Sequence, residues 1–154
     1  MTEGVLRRDR DTSTAPIQQA ARLVGIVFLL VGILGFIPGI TTNYDDLKFA
    51  GNTSDAELLG VFQTSILHNV VHLLFGVAGL LLSRTWEGAR TFLIGSGIIY
   101  LGLFLYGILV KQSVDANFVP FNNADDWLHL LLGVGMLALG FLLSRNPREA
   151  HATA

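Results

Sequence analysis

The chain has no cysteine and few charged residues. The absence of cysteine from its 154 residues excludes disulfides, thiolate catalysis, iron–sulfur clusters and cysteine-based zinc sites. Charged residues make up 14% of the chain, against about 25% in a typical soluble domain. The formal net charge of −2 excludes the basic surface that nucleic-acid binding requires. With 51% hydrophobic residues and a mean hydropathy of +0.55, the composition indicates a protein that is embedded in a lipid bilayer.

Four intervals without charge divide the chain, and each holds about the 20 apolar residues needed to cross a bilayer. In lipid the backbone must satisfy its own hydrogen bonds, so the intervals predict helices. The predicted fold class is an all-α, four-helix transmembrane bundle over residues 16–145. Ser54 to Glu57 ("SDAE") reads as a capping box before the second helix, and Asn122 or Asn123 as the cap of the fourth. The predicted helices cover about 20–38, 58–82, 89–110 and 127–143.

Basic residues predict the orientation of these spans. With both termini in the cytoplasm, the inner side holds eight arginines and the outer side only Lys48 and Lys111, as the positive-inside rule requires. We therefore expect a multi-pass protein of a bacterial inner membrane. The first span is read as uncleaved, because its apolar run is long and no small-residue cleavage pattern follows. Residues 1–15 and 146–154 are expected to be flexible cytoplasmic tails.

The two halves of the chain resemble each other, which suggests a tandem repeat of two helix pairs. Two registers are open. One aligns residues 67–84 with 128–145 without gaps and pairs His68 with His129. The other aligns "HLLFGV" with "HLLLGV" and pairs His72 with His129. Either register gives two copies of the same orientation, as in parallel transporter repeats.

Polar and small side chains share one face of the second predicted helix. At 100° per residue, His68, Asn69 and His72 fall in one arc with Ser65, Gly76 and Gly79, so they face other helices rather than lipid. The fourth helix similarly places Asp126 and His129 on a glycine-bearing face. The third helix groups Gly95, Gly102 and Tyr106, and the first has Gly25, Gly32 and Gly39 at seven-residue spacing.

His68 precedes Arg84 by 16 residues, and His129 precedes Arg145 by 16 residues. At 1.5 Å per residue, both histidines are expected at the same depth, about 24 Å above the inner boundary of the membrane. If the second and fourth helices are neighbours, five residues share a polar cluster in the outer half: His68, Asn69, His72, Asp126 and His129.

Two interpretations of this cluster stay open. Neutral histidine and asparagine commonly hold membrane helices together, each hydrogen bond contributing about 0.6–2 kcal/mol. Alternatively the histidines bind a metal or a haem, a quinone or a proton, since ionisable groups inside a membrane mark functional sites. The spacing His-x-x-x-His lacks the glutamate of zinc proteases, and no set of nucleophile, base and orienting group is visible, so no enzymatic activity is expected.

Three blocks together resemble a family of small bacterial four-span membrane proteins that is classified as a domain of unknown function. The blocks are "GFIPG" (35–39), "LGVFQTSILHNVVHLLFGVAGLLLSR" (59–84) and "ANFVPFNNADDWLHLLLGVGM" (116–136). The resemblance implies a four-helix membrane domain and no assigned activity, cofactor or catalytic residue. In helix number and size the chain is also similar to DoxX-like membrane proteins, a fold-level analogy.

The sequence thus predicts a non-enzymatic membrane or envelope component that acts through helix packing or partner contacts. Its expected partner is the lipid bilayer, and a second copy of the chain or another membrane protein stays open. The alternative prediction is a redox or transport component with a ligand at the histidine cluster.

Overall fold

A computed structural model describes residues 14–110 and 118–144. Four helices and one small antiparallel sheet, of strand order β1-β2-β3, make up this part of the chain. A short 3₁₀ turn, Tyr44–Asp46, lies between the first two strands. The predicted tails, 1–15 and 146–154, fall outside the described residues except for Thr14 and Ala15. The elements are α1 (Pro16–Leu34), β1 (Thr41–Thr42), β2 (Glu57–Leu58), β3 (Phe62–Gln63), α2 (Ile66–Leu82), α3 (Trp86–Leu109) and α4 (Asn123–Leu142).

The first half differs from prediction at three helix ends. Helix α1 begins at Pro16, whose fixed φ and missing N–H suit a first helical position, and it ends at Leu34 rather than at 38. Helix α2 begins at Ile66 rather than at 58, because residues 57–58 and 62–63 form strands. Its cap is Ser65, whose side chain accepts from the backbone N–H of His68, so the predicted capping box at Ser54 to Glu57 is wrong.

The second half begins each helix a little earlier than predicted. Thr85 caps α3 by accepting from the backbone N–H of Gly88 at 3.0 Å. Asn122 caps α4 by accepting from the backbone N–H of Asp125 at 3.0 Å, and the Asp125 side chain accepts from the backbone N–H of Asn122 in return. The predicted cap at Asn122 is therefore confirmed, and this reciprocal capping box starts the helix four residues before 127.

The helices pack as two antiparallel pairs, α1 with α2 and α3 with α4. Glycines let the backbones approach: a Cβ on Gly25 would lie 3.1 Å from the carbonyl oxygen of Gly76, and a Cβ on Gly97 would lie 3.0 Å from that of Gly133. Likewise a Cβ on Gly76 would lie 2.7 Å from the backbone nitrogen of Leu29. Small residues at such seams are typical of helix association in membranes.

The same contacts recur at equivalent positions in the two pairs. Gly25 and Gly76 touch through the same atoms as Gly97 and Gly133, and Leu29 packs on Gly76 as Leu101 packs on Gly133. The equivalences shift the first helix of each pair by 72 residues and the second by 57. In this register "GIVFL" (25–29) matches "GIIYL" (97–101), and "HLLFGV" (72–77) matches "HLLLGV" (129–134).

The register selects the second of the two predicted alignments, in which His72 rather than His68 is the counterpart of His129. Phe28 and Tyr100 are also counterparts, and their rings stack on each other with centroids 5.2 Å apart. Contact between equivalent residues is the mark of a two-fold relation. The pairs α1–α2 (unit one) and α3–α4 (unit two) meet in this way at Phe28 and Tyr100, although α2 contacts α3 more closely than α1 contacts α4.

Three helices, α1, α3 and α4, are long and apolar enough to cross a membrane. Helix α2 is also apolar but has 17 residues, which span about 26 Å at 1.5 Å per residue. The core between the pairs contains Phe28, Phe92, Tyr100 and Met136, while many leucines and isoleucines point outward.

Candidate functional site

Helix α2 carries a chain of hydrogen-bonded side chains on its buried face. Nε2 of His72 lies 3.1 Å from Nε2 of His68, and Nδ1 of His68 lies 3.0 Å from Oγ1 of Thr64. Thr64 in turn donates to Oδ1 of Asn69 at 2.6 Å. All four residues are buried. The chain forms because residues 64, 68 and 72 succeed one another at one-turn spacing, so their side chains meet along one face.

The hydrogens in this chain follow from counting donors. Thr64 has one hydroxyl hydrogen and gives it to Asn69, so its oxygen must accept from Nδ1–H of His68. Nε2 of a neutral His68 is then an acceptor, and Nε2–H of His72 donates to it. His72 therefore carries its hydrogen on Nε2 and a lone pair on Nδ1. Two neutral histidines in opposite tautomers result.

Several buried polar atoms near this chain have no hydrogen-bond partner in the described part of the protein: Asn69 Nδ2, His72 Nδ1, Asp126 Oδ1 and His129 Nδ1. An unpaired buried polar atom costs about 1–3 kcal/mol. Native proteins leave few buried polar atoms without a protein or water partner.

The three histidines line one cavity of about 310 Å³, the histidine cavity. Aromatic rings form much of its wall, notably Phe75, Tyr100 and Phe121. The surface that faces the space is almost wholly carbon, because the imidazole nitrogens turn into the protein. The rings pack edge to face, with centroids 4.7 Å apart for Phe121 and His129 and 5.2 Å apart for Tyr100 and His129. Such a space suits a flat, mainly apolar molecule.

Unit two reproduces the positions of this site with different chemistry. Asp126 is the counterpart of Asn69, and each side chain abuts an equivalent glycine, Gly107 or Gly35. Phe121 stands where unit one has Thr64, so no hydroxyl links Asp126 to His129. The polar chain is therefore continuous only in unit one.

The predicted cluster is thus divided between two places. His68, His72 and His129 line the histidine cavity, and Asn69 joins them through Thr64. Asp126 lies at the seam between α3 and α4. Within residues 14–110 and 118–144 no group of three or more histidine, aspartate or glutamate side chains is placed to hold a metal ion.

Sequence reasoning missed Thr64, Tyr100 and Phe121. Tyr100 had a usable signal, since tyrosine prefers the membrane interfaces and Tyr100 lies in the middle of an apolar helix. Thr64 and Phe121 precede their helices, and only the correct start of α2 and α4 brings them next to the histidines.

Asp125 fixes the end of the site that lies next to the small sheet. Its Oδ2 accepts from the backbone N–H of Gln63 at 3.1 Å as well as from that of Asn122. The Asn122 side chain donates to the carbonyl oxygen of Val61 at 2.7 Å. The sheet of unit one is therefore held against the first turn of α4, next to Phe121.

Comparison with known proteins agrees with this description at the level of the family. No curated protein and no solved structure matches the chain significantly. One family's sequence profile matches residues 18–142, which is most of the chain and includes all four helices almost completely. The chain belongs to this family, the domain of unknown function DUF4383.

Proposed function

We propose that this protein is a four-span membrane protein that binds a small, neutral, lipid-soluble molecule in the histidine cavity. The observation that carries the proposal is the cavity itself: about 310 Å³ between the two units, walled by aromatic rings and three imidazoles. This volume lies at the lower end of the range of about 300–1,000 Å³ found for small-molecule sites. The role proposed is binding or transfer rather than catalysis.

The fourth span is α2. Its counterpart α4 is long and apolar enough to span a membrane. Helix α2 packs antiparallel along α1, which is also long and apolar enough. A helix of about 26 Å fits a hydrocarbon core of about 30 Å by local thinning of the bilayer. The arginine distribution supports an arrangement with both termini in the cytoplasm of a bacterium, which puts the histidine cavity in the outer half of the membrane.

A purely structural role is the second candidate. It is favoured by the bond between His68 and His72, which satisfies one nitrogen of each ring without any ligand. A structural role explains this bond but leaves the cavity unexplained.

Filling the cavity distinguishes the two roles. Val71 lines the cavity, whereas Val70 on the same helix is 39% exposed on the outside of the helix bundle. We would measure the melting temperature of the wild type, Val71→Trp and Val70→Trp in mild detergent, with and without 2,3-dimethoxy-5-methyl-1,4-benzoquinone. A ligand at 100 times its Kd adds about 2.7 kcal/mol of stability. Binding predicts that the probe stabilises the wild type and Val70→Trp but not Val71→Trp. Equal responses of all three proteins would support the structural role.

A further inference from the structure

A second space lies beside the histidine cavity, on the outer surface between α2 and α3. This groove has a volume of about 350 Å³, and its walls include Leu74 and Ala78 of α2 and Gly95 of α3. Phe75 and Ile99 line both the groove and the histidine cavity. The two spaces therefore border each other at these two side chains, and the groove is open toward the lipid.

Close approach through glycine is more extensive within each unit than between α2 and α3. Gly76 of α2 packs on α1, and Gly97 of α3 packs on α4. Helix α2 consequently turns larger side chains toward α3, and the two helices contact each other much less than the helices of one unit do. At Gly95 no heavy atom lies within 4 Å of where a Cβ would be.

Among the residues that the structure describes, none in the wall of either space has a charged side chain. A phosphate or a zwitterionic headgroup would lose its hydration there without gaining a charged partner, at a cost of several kcal/mol. The head of any occupant is therefore neutral. An open, carbon-lined groove in the bilayer suits a hydrocarbon chain.

We infer that the ligand is a neutral amphiphile with one hydrocarbon chain, whose ring lies in the histidine cavity and whose chain lies in the groove between α2 and α3. The inference rests on the proposed function and adds the class of ligand to it. Such a molecule reaches the site sideways from the bilayer, past Phe75 and Ile99.

The test uses two probes that share one ring, 2,3-dimethoxy-5-methyl-1,4-benzoquinone with and without a 6-decyl chain. Their Kd values are measured for the full chain in phosphatidylcholine nanodiscs. The groove-filling variant is Gly95→Leu, whose side chain enters open space. The matched control is Gly102→Leu on the same helix, where a Cβ also meets no atom within 4 Å and which lies outside the groove.

We expect Gly95→Leu to weaken binding of the decyl probe at least tenfold and to leave the short probe unchanged, with neither affected by Gly102→Leu. If Gly95→Leu changed the Kd of both probes by the same factor relative to the wild type, the inference would be overturned and the proposed function would stand. If neither probe bound the wild type, both the proposed function and this inference would be overturned. If n-decanol competed as strongly as the decyl probe, the site would be one for a hydrocarbon chain alone, which also contradicts the inference.

Discussion

Unit one and unit two share a backbone packing but not a polar chemistry. The contacts of Gly25 with Gly76 recur as those of Gly97 with Gly133. The side chains above these seams differ: Thr64, Asn69 and Phe28 of unit one correspond to Phe121, Asp126 and Tyr100 of unit two. The helix seams therefore hold the fold, and the differences are concentrated around the histidine cavity, where His72 and His129 are the shared element.

The largest expected effect concerns the shared seams. Gly76→Leu and Gly133→Leu should each destabilise the protein by about 3 kcal/mol or more, because the new side chain would meet the backbone of Leu29 or Leu101. Similar losses at both positions would support the repeat. The measurement is the free energy of unfolding in mixed micelles titrated with denaturing detergent.

Gly135→Leu is the control for these seam variants, since its Cβ would meet no atom within 4 Å. It should leave stability unchanged or raise it by up to about 1 kcal/mol, as glycine is a poor helix former. A loss in Gly135→Leu equal to that in Gly133→Leu would contradict the assignment of the seam.

The polar difference between the units predicts opposite effects of two exchanges. Asn69→Asp places a second carboxyl group at the end of the hydrogen-bonded chain and should cost about 3 kcal/mol, as for a buried charge without a partner. Asp126→Asn gives unit two the amide of unit one and should be neutral or stabilising. Both are measured by the same unfolding titration, and a loss in Asp126→Asn as large as in Asn69→Asp would break the comparison.

Thr64 tests the continuity of the polar chain. Thr64→Val removes the hydroxyl between His68 and Asn69 and should cost about 2 kcal/mol, because it leaves two buried polar atoms unpaired. Thr64→Ser keeps the hydroxyl and should cost less than half as much. If both variants lost the same stability, the methyl group of Thr64 rather than its hydrogen bonds would be the cause.

The tautomers provide a finer test of the same chain. Nitrogen-15 NMR of labelled protein should show the hydrogen of His68 on Nδ1 and that of His72 on Nε2. Thr64→Val should release His68 from this preference, whereas Thr64→Ser should keep it. A wild-type His68 with its hydrogen on Nε2 would contradict the order of donors derived from the structure.

The smallest expected change comes from Tyr100→Phe, which makes the stacked pair at the centre two phenylalanines. The stack with Phe28 and the edge contact with His129 survive, so stability should change by less than about 0.5 kcal/mol. A loss above about 2 kcal/mol, measured by the same titration, would show that the hydroxyl has a structural role.

Much of the fold could be predicted from the sequence, because length and apolarity identify helices in lipid. The inward face of α2 was also predictable, since His68, Asn69 and His72 are all buried as the periodicity indicates. The start of α2 was not. Residues 58–63 continue the uncharged interval, and only the pairing of β2 with β1 and of β3 with β2 shows that this segment contains strands.

The candidate site was predictable as a set of polar residues but not as an arrangement. Both registers of the repeat matched histidine with histidine, and only the contacts at the glycine seams decide for His72. The position of Asp126 away from the cavity depends on its fit against Gly107, which periodicity along one helix cannot show.

The most direct test of the central claim is to ask what the protein carries when it is purified. Wild type, Val71→Trp and Val70→Trp would be purified in mild detergent, extracted with organic solvent, and analysed by ultraviolet–visible spectroscopy and mass spectrometry. The account predicts one neutral, single-chain, lipid-soluble species at near-equal molar amount in the wild type and Val70→Trp, and its loss in Val71→Trp. The same extract composition from all three proteins would contradict it.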